Sequence, residues 1–283
     1  MENRTVNQVS NSTHYLLPND KLNHFMALEE LNKIFYEHYA TAFHSTREYG
    51  WRGWKALLTL LDQEKPLSVA DIACGNGRLA DFLQRVWQDQ EQKEVLTYIG
   101  LERSTGLLNQ AKKRPLQFPT TWLEFDWCEH ILEQNIDVTW LPHKVNWVTL
   151  FGVFHHVYSI EMRIALIQFA VQFLQVNGTL SISLWNFGAQ SRYQKKYLSW
   201  PKLMKQNPML SPHCIEEGDY LLGWAGEVDV PRFCHWQSKE EEKRWFDEIA
   251  RLIPELSEPI LTEVEGDQNR YWSWRLTRPL DPT

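Results

Sequence analysis

The sequence is poor in cysteine and has no long apolar run. Its four cysteines, Cys74, Cys128, Cys214 and Cys234, are scattered over 283 residues without a C-x-x-C pair. This pattern favours reduced thiols and indicates neither a disulfide framework nor a zinc site. No stretch approaches the roughly 20 apolar residues that cross a bilayer, and residues 1–20 lack a secretory apolar core. We therefore expect a cytoplasmic protein without a bound metal.

Positive charge is also scarce. The chain has 29 Lys and Arg against 36 Asp and Glu, a formal net charge of −7. Proteins that hold nucleic acid electrostatically usually carry a basic face, so the acidity counts against an RNA partner without excluding one. Hydrophobic residues make up 43% of the chain, as in ordinary globular proteins. We predict a flexible leader over residues 1–22 and one folded domain over residues 23–283.

Strand and helix patterns alternate along most of the chain. Apolar residues at three- and four-residue steps predict N-terminal helices within about 27–62. Five strand-like runs follow, with predicted helices after the first, second and fourth of them: 67–72, 95–101, 120–125, 145–151 and 179–185. The helix that starts at Ile160 is predicted to end at Asn177-Gly178. This alternation predicts an α/β fold, a parallel sheet with helices on both faces.

The last third of the chain departs from this rhythm. Residues 186–235, approximately, are predicted to be an insertion at the carboxyl edge of the sheet. Ser238 and Glu241 have the spacing of a capping box and predict a helix to about Leu252. The segments 260–264 and 271–277 flank a turn-like stretch and are predicted to pair as antiparallel strands.

The strongest indication of ligand binding is the sequence D-I-A-C-G-N-G-R, which runs from Asp71 to Arg78 at a strand-to-helix turn. Glycines there let the backbone approach a ligand, and the following helix offers free N–H groups. Glu102 ends the second strand, where a carboxylate can accept hydrogen bonds from ribose hydroxyls, and Asp126 beside Trp127 ends the third. The alternative is that these are turn glycines and exposed carboxylates without a ligand.

The run Asp71-x-Ala73-x-Gly75-x-Gly77 resembles motif I of class I S-adenosylmethionine (SAM)-dependent methyltransferases, which usually have glycine where Ala73 stands. The dinucleotide fingerprint G-x-G-x-x-G is not met. The resemblance implies a Rossmann-like, seven-stranded, mostly parallel sheet with a final antiparallel strand pair, and it implies SAM as the cofactor. The cofactor-binding residues expected from it are Asp71, Ala73, Cys74, Gly75, Asn76, Gly77, Glu102, Arg103, Asp126, Trp127 and Phe151.

Three further segments resemble the tRNA wobble-uridine carboxymethyl methyltransferases, the group that includes the methyltransferase half of the human AlkB-homologue fusion. They are F-G-V-F-H-H-V at 151–157, the aromatic stretch from residue 34 that ends in F-H-S-T-R at 43–47, and D-V-P-R-F-C-H-W at 229–236. With N-R-Y-W at 269–272, the similarity extends from about Leu31 to Arg278. It implies methyl transfer to the carboxymethyl group of a modified uridine in tRNA. It also suggests a small zinc-binding activator protein as a partner.

The proposed acceptor determines which catalytic groups the site needs. A carboxymethyl group is already ionised at neutral pH, so no strong base is required. A cation or hydrogen-bond donor must orient it, and Arg47, Arg232 and His235 are the candidates, although each could instead have a structural role. We expect one of His155 and His156 to face the acceptor and the other to pack under the following helix. Either histidine could act as a base for a neutral acceptor.

Basic and aromatic residues lie close together in the insertion. Cations there could neutralise phosphates while aromatic rings stack on bases, although a solvated lysine face is an equally ordinary explanation. Two other functions therefore stay open: a methyltransferase for a small carboxylate, phenol or amine, and a methyltransferase-like binding subunit without turnover, which Ala73 and Asn146 would suggest. The residues of the cluster are Arg192, Lys195, Lys196, Lys202 and Lys205, with Tyr193, Tyr197 and Trp200.

Overall fold

A computed structural model describes residues 17–47, 49–62, 66–88, 97–133, 138, 140–141, 143–224 and 227–280. Most of the predicted flexible leader, residues 1–16, lies outside the described residues. The remainder of that leader belongs to the fold, because the first helix already begins at Asn19 and Leu17 is buried.

The described helices follow the predicted order. Ser104 caps the fourth helix, since its hydroxyl accepts a hydrogen bond from the N–H of Leu107 at 3.3 Å. Short 3-10 turns lie at Leu58–Leu60, Phe154–His156 and Pro212–Cys214. Among the described helices, none combines the length and apolar character needed to span a bilayer. The helices are α1 Asn19–Ser45, α2 Arg52–Leu57, α3 Arg78–Gln88, α4 Thr105–Ala111, α5 Trp127–Leu132, α6 Ile160–Val171, α7 Ser191–Gln194, α8 Trp200–Met204 and α9 Lys239–Leu252.

Seven of the described strands form one sheet and two form a separate hairpin. The strands are β1 Ser68–Ile72, β2 Thr97–Glu102, β3 Thr120–Glu124, β4 Val145–Leu150, β5 Leu174–Trp185, β6 Asp219–Trp224, β7 Glu227–His235, β8 Ile260–Glu263 and β9 Asn269–Arg275. The large sheet has the order β3-β2-β1-β4-β5-β9-β8, and β6 pairs with β7. Strands β1 to β5 run parallel, whereas β9 pairs antiparallel with β5 and β8. The predicted fold class is confirmed.

The sheet buries a core on each face because successive side chains of a strand point to opposite sides. In β1, Ala70 and Ile72 pack into the core that includes α6 and α9, whereas Val69 packs against α2 and α3. The neighbouring strand β4 repeats the pattern, with Val148 on the first side and Trp147 on the second. Both faces are covered, so the open end of the sheet is left for a ligand.

The predicted end of the helix that starts at Ile160 was wrong. Helix α6 ends at Val171, and Asn177-Gly178 lies inside β5. The register between β4 and β5 shifts there, so the pair forms a bulge instead of a helix cap. Asn177 adopts φ +67, and its N–H donates to the carbonyl of Leu276 at 2.7 Å. An Asn-Gly pair suits either a helix end or a bulge, and strand pairing decided between them here.

The predicted insertion contains the hairpin β6–β7, which packs against α1. The N–H of Phe233 in β7 donates to the Asn32 side chain of α1 at 2.9 Å. The carbonyl of the same residue is 2.7 Å from Nδ1 of His156, in the turn after β4. Both backbone groups of Phe233 are thus bonded to other elements, which holds the adjoining Arg232 beside the carboxyl end of β4.

Helix α9 starts with half of the predicted capping box. The hydroxyl of Ser238 accepts a hydrogen bond from the N–H of Glu241 at 3.1 Å, as expected. The Glu241 carboxylate does not return to the cap. It lies 2.9 Å from Nε2 of His235 and 2.5 Å from Nη1 of the buried Arg163. This side chain therefore links α9 to the hairpin and to α6.

Candidate active site

A cavity of about 680 Å³ opens at the carboxyl ends of β1, β2 and β4. Ligands of open α/β sheets bind at this edge, and small-molecule pockets have volumes of roughly 300–1,000 Å³. The loop after β1, the end of β2 and the turn after β4 form one part of the lining. Helix α1, the segment after it, the hairpin, the end of β5, α7 and the turn before β9 also contribute.

The two glycines of the loop after β1 have different surroundings. Gly75 has φ +58, and a Cβ added there would meet no atom within 4 Å, so its backbone faces open space. Gly77 has φ +70, but an added Cβ would lie 2.6 Å from the Trp122 ring. At position 75, glycine leaves the backbone uncovered, so that a ligand in the cavity can contact it. At position 77, glycine is needed because a side chain would collide with Trp122. The adjoining Ala73 also has a left-handed backbone, with φ +59.

Asp71 supports this loop from beneath and does not line the cavity. Its carboxylate accepts hydrogen bonds from the hydroxyls of Thr149, at 2.6 Å, and Tyr98. Burial raises the pKa of Asp71 to about 6, and these two hydrogen bonds act against the rise. Its place in the structure indicates a role in holding β1, β2 and β4 together.

Glu102 lies in the cavity wall at the end of β2. Its two oxygens accept hydrogen bonds from the N–H groups of Gly75, at 2.8 Å, and Ser104, at 2.7 Å. Burial raises the pKa of the Glu102 carboxyl, and the two backbone N–H groups oppose that shift. Each carboxylate oxygen has a second lone pair, so Glu102 can still accept hydrogen bonds from a ligand's hydroxyls.

The wall next to Glu102 suits a flat, apolar ring. Leu107 and Trp127 line it, as does Arg103, whose Nη1 lies 2.5 Å from Glu29. Asp126 does not line the cavity. It caps α5 by accepting a hydrogen bond from Cys128 at 3.0 Å. Of the predicted cofactor residues, the structure leaves Asp71, Gly77 and Asp126 outside the lining and brings together Ala73, Cys74, Gly75, Asn76, Glu102, Arg103, Trp127 and Phe151.

Two guanidinium groups share an aromatic wall at the other end of the cavity. The Cζ of Arg47 lies 5.7 Å from the centre of the Trp224 ring, and the Cζ of Arg232 lies 5.5 Å from it. Burial, followed by the neighbouring charge of Arg232, lowers the pKa of Arg47. Within the described parts of the chain, neither arginine pairs with a carboxylate. Cationic and aromatic groups at one surface can bind an anionic, planar group.

Both predicted histidines line this end, so the expectation that one of them packs away under the next helix is not met. His156 is fixed by Phe233 on Nδ1 and by the hydroxyl of Tyr36, 2.7 Å from Nε2. Burial, then the charge of Arg232, lowers its pKa to about 3. Burial and the adjacent His156 lower the pKa of His155 well below its usual value. Both rings are therefore neutral at pH 7 and are weak bases.

His235 is not brought to the cavity. Its Nδ1 lies 2.6 Å from Asp219, and its Nε2 lies 2.9 Å from Glu241. Both carboxylates only accept hydrogen bonds, so His235 bridges them as a buried structural group. Of the three residues predicted to orient an acceptor, the structure places Arg47 and Arg232 at the cavity.

His155, His156 and Cys234 place three atoms of metal-ligating type within 4.8 Å of one another. Their environment disfavours a cation. Nδ1 of His156 is bonded to Phe233, and burial raises the pKa of the Cys234 thiol to about 12 despite the adjacent Arg232. A metal ligand must be a thiolate, so this group does not fit a metal centre.

Sequence reasoning missed several cavity residues. Tyr36 and Trp224 line the cavity at the end that contains Arg47 and Arg232. Arg78 lines the cavity beside the glycine loop. Arg78 carried a local signal, a cation directly after Gly77 at the start of a helix. Trp224 carried none, because its position depends on how the hairpin packs against α1.

The chain matches no protein-family model and no curated protein sequence. Its fold is that of solved class I methyltransferases. A SAM-dependent methyltransferase from Methanosarcina mazei is similar at 12% identity and a TM-score of 0.53, over 79% of this chain and 98% of that one. The plantazolicin methyltransferase BpumL in complex with SAH is similar at 12% identity and a TM-score of 0.52, over 90% and 98%. The plantazolicin methyltransferase BamL has 13% identity and a TM-score of 0.50, over 92% and 97%.

Proposed function

We propose that this protein is a SAM-dependent methyltransferase that acts on a carboxylate. One observation carries the proposal: a single cavity has the features of a nucleoside site at one end and presents the guanidinium groups of Arg47 and Arg232 at the other. The fold is shared with SAM-dependent methyltransferases, some of them solved with SAH, and this agrees with the same class of reaction.

The nucleoside end fits an adenosyl group. The backbone of Gly75 faces open space, Glu102 keeps lone pairs for ribose hydroxyls, and Leu107 with Trp127 offers an apolar wall for adenine. When bound, the cofactor supplies an electrophilic methyl group on a sulfonium. The cavity must hold the acceptor in line with that methyl group and keep water out. Its aromatic lining suits this task.

The acceptor end favours a group that is already ionised. Arg47 and Arg232 can orient a carboxylate through charge-assisted hydrogen bonds. A phenol or an amine would have to lose a proton to a base. Burial lowers the pKa of both His155 and His156, so both rings are neutral at pH 7 and are weak bases for that task. A carboxylate needs no such step at neutral pH.

We further propose that this carboxylate belongs to the carboxymethyl group of a modified wobble uridine in tRNA. Support comes from the sequence resemblance and from cations of the insertion that are exposed and have no carboxylate partner in the described part of the chain. The rings of Trp185, Tyr193 and Trp224 at the cavity would contact the base. The exposed cations are Arg192, Lys195, Lys196, Lys202 and Lys205.

A small carboxylate is the second candidate acceptor, and the net charge of −7 favours it. The third hypothesis, a binding subunit without turnover, rested on Ala73 and Asn146, and the structure gives Asn146 a structural role. Asn146 lies at the amino end of β4, where its side chain accepts from the N–H of Ser68 at 2.9 Å and donates to the carbonyl of Pro66 at 2.7 Å. It fastens β4 to β1 at the end of the strands opposite the cavity.

Labelled methyl donor and two tRNA substrates test the proposal. We expect label on tRNA that carries carboxymethyluridine, in a form that mild alkali releases as methanol, and none on the unmodified transcript. Arg232→Gln should lower kcat/KM by about 10–100-fold, whereas the exposed control Lys113→Gln should not. Alkali-stable label would exclude a carboxylate acceptor. Binding of SAM with no label on any tRNA would favour a small-molecule acceptor.

The resemblance also leads us to propose a small zinc-binding activator protein as a partner. Strands β3 and β8 are the two edges of the seven-stranded sheet, and an edge strand presents backbone groups to a partner strand. Co-purification of the chain with such a protein would test this part of the proposal independently of catalysis.

A further inference from the structure

The cavity is positive although the chain as a whole is negative. Among the described residues, its charged lining has two carboxylates, Glu102 and Asp267, against six cations. This excess exceeds what a single acceptor carboxylate needs, and it raises the question of what each cation binds. The six cations are Arg47, Arg52, Arg78, Arg103, Lys196 and Arg232.

Arg78 stands apart from the acceptor end. It is the first residue of α3, directly after the glycine loop. Its Cζ lies 4.3 Å from the centre of the Trp51 ring and 5.5 Å from that of Trp54. By contrast, Arg47 and Arg232 pack on Trp224. The cavity therefore contains two separate cationic positions on two different aromatic walls.

The Arg78 guanidinium has no anionic partner among the residues that the structure describes. Across the described ranges of the chain it makes neither a hydrogen bond nor an ion pair, whereas Arg103 in the same cavity is paired with Glu29. Burial, then the charge of Arg47, lowers the pKa of Arg78 to about 9. A half-buried guanidinium that lacks a counter-ion among the described residues is costly, and contact with Trp51 offsets only part of that cost. Such a guanidinium group can bind an anionic ligand, which would supply the counter-charge.

We infer that Arg78 binds the carboxylate of the methionine moiety of SAM and leaves Arg47 and Arg232 for the acceptor. This inference rests on the proposed function. Glu102, which would hold the ribose of a donor, accepts a hydrogen bond from the N–H of Gly75, and Arg78 follows that glycine by three residues. Arg103 already has a carboxylate partner, and Arg52 is exposed.

The test compares SAM with decarboxylated SAM, which lacks only the carboxylate. By calorimetry, we expect the wild-type protein to bind SAM more tightly by about 10-fold or more. Arg78→Gln should remove this preference: SAM binding weakens by about 10–100-fold, and binding of decarboxylated SAM changes by less than about 3-fold. Arg78→Lys should keep part of the preference. The matched variant Arg47→Gln should keep all of it.

Binding of the decarboxylated ligand reports that each variant is folded. A preference for SAM that persists in Arg78→Gln would overturn the inference, as would equal weakening of both ligands. Loss of the preference in Arg47→Gln instead would assign the carboxylate to the other cationic position and would also overturn it. If the wild-type protein binds neither ligand, the proposed function itself fails. Failure of the inference is thus distinguishable from failure of the proposed function.

Discussion

Gly75 and Gly77 share a left-handed backbone but should respond differently to a methyl group. Gly75→Ala should reduce the free energy of unfolding by about 1–2 kcal/mol, the strain of a left-handed L-residue. It should also weaken binding of S-adenosylhomocysteine by at least 10-fold, because its Cβ would occupy the cavity. Gly77→Ala adds a contact of 2.6 Å with Trp122 to the same strain, so its stability loss should be larger, about 2–4 kcal/mol.

Denaturant unfolding and calorimetry on both variants would check this pair. If Gly75→Ala binds S-adenosylhomocysteine as tightly as the wild type does, the backbone of Gly75 is not part of the donor site. Equal stability losses would show that Trp122 moves aside without cost.

The residues that sequence could predict are those placed by the βαβ pattern. Gly75 follows β1 and Glu102 ends β2, and the parallel pairing of these strands brings the two residues together. His235 was predicted in the site because it belongs to the D-V-P-R-F-C-H-W segment at 229–236, yet Asp219 and Glu241 hold it elsewhere. Arg78 was missed because its significance comes from Trp51 and Trp54, more than 20 residues away in the chain.

At the scale of elements, Glu241 links α9 to the β6–β7 hairpin and to α6. Arg163 is fully buried beside it, and the Nη2 atom of Arg163 has no hydrogen-bond partner. Glu241→Gln should lower the free energy of unfolding by about 3 kcal/mol, because the buried guanidinium loses its counter-charge. The matched control Glu240→Gln, one residue away and exposed, should cost less than about 0.5 kcal/mol.

Chemical denaturation of the two variants provides the measurement. Similar losses in both would mean that the Glu241 contacts contribute little. Since His235 ends β7, Glu241→Gln should also lower turnover while the protein is still folded, through a looser Arg232.

Element boundaries were predictable where pattern and pairing agree. The five parallel strands follow from the alternation of strand and helix patterns, whereas their order in the sheet was not predicted. The end of α6 was not predictable, because Asn177-Gly178 suits a helix cap as well as a bulge. Only the pairing of β5 with β4 and β9, which involves residues far along the chain, decides between them.

For the whole molecule, the buried histidines predict instability in acid. The pKa of His156 is about 3 in the folded protein, against an ordinary value of 6.5. Below pH 6.5, His156 therefore binds a proton in the unfolded chain but stays neutral in the folded chain. This contribution to stability is complete above pH 6.5 and is lost as the pH falls. From pH 7 to 5 the loss is about 2 kcal/mol.

Unfolding curves at pH 7 and 5 would test this expectation. His156→Asn should lose about 2 kcal/mol less than the wild type over this interval. Asparagine can still donate to the Phe233 carbonyl. The exposed control His143→Asn should follow the wild type. Parallel behaviour of His156→Asn and the wild type would show that His156 titrates normally in the folded protein.

The two ends of the cavity come from different parts of the architecture. In the proposed function, loops of the sheet build the nucleoside end, whereas the segment after α1 supplies Arg47 and the β6–β7 hairpin supplies Trp224 and Arg232 at the acceptor end. A change in the hairpin would then alter the acceptor while the half built by the sheet stays constrained. A protein built in this way can change its methyl acceptor during evolution while it keeps the same methyl donor. Exchange of the hairpin between related chains then offers a direct route to new specificities.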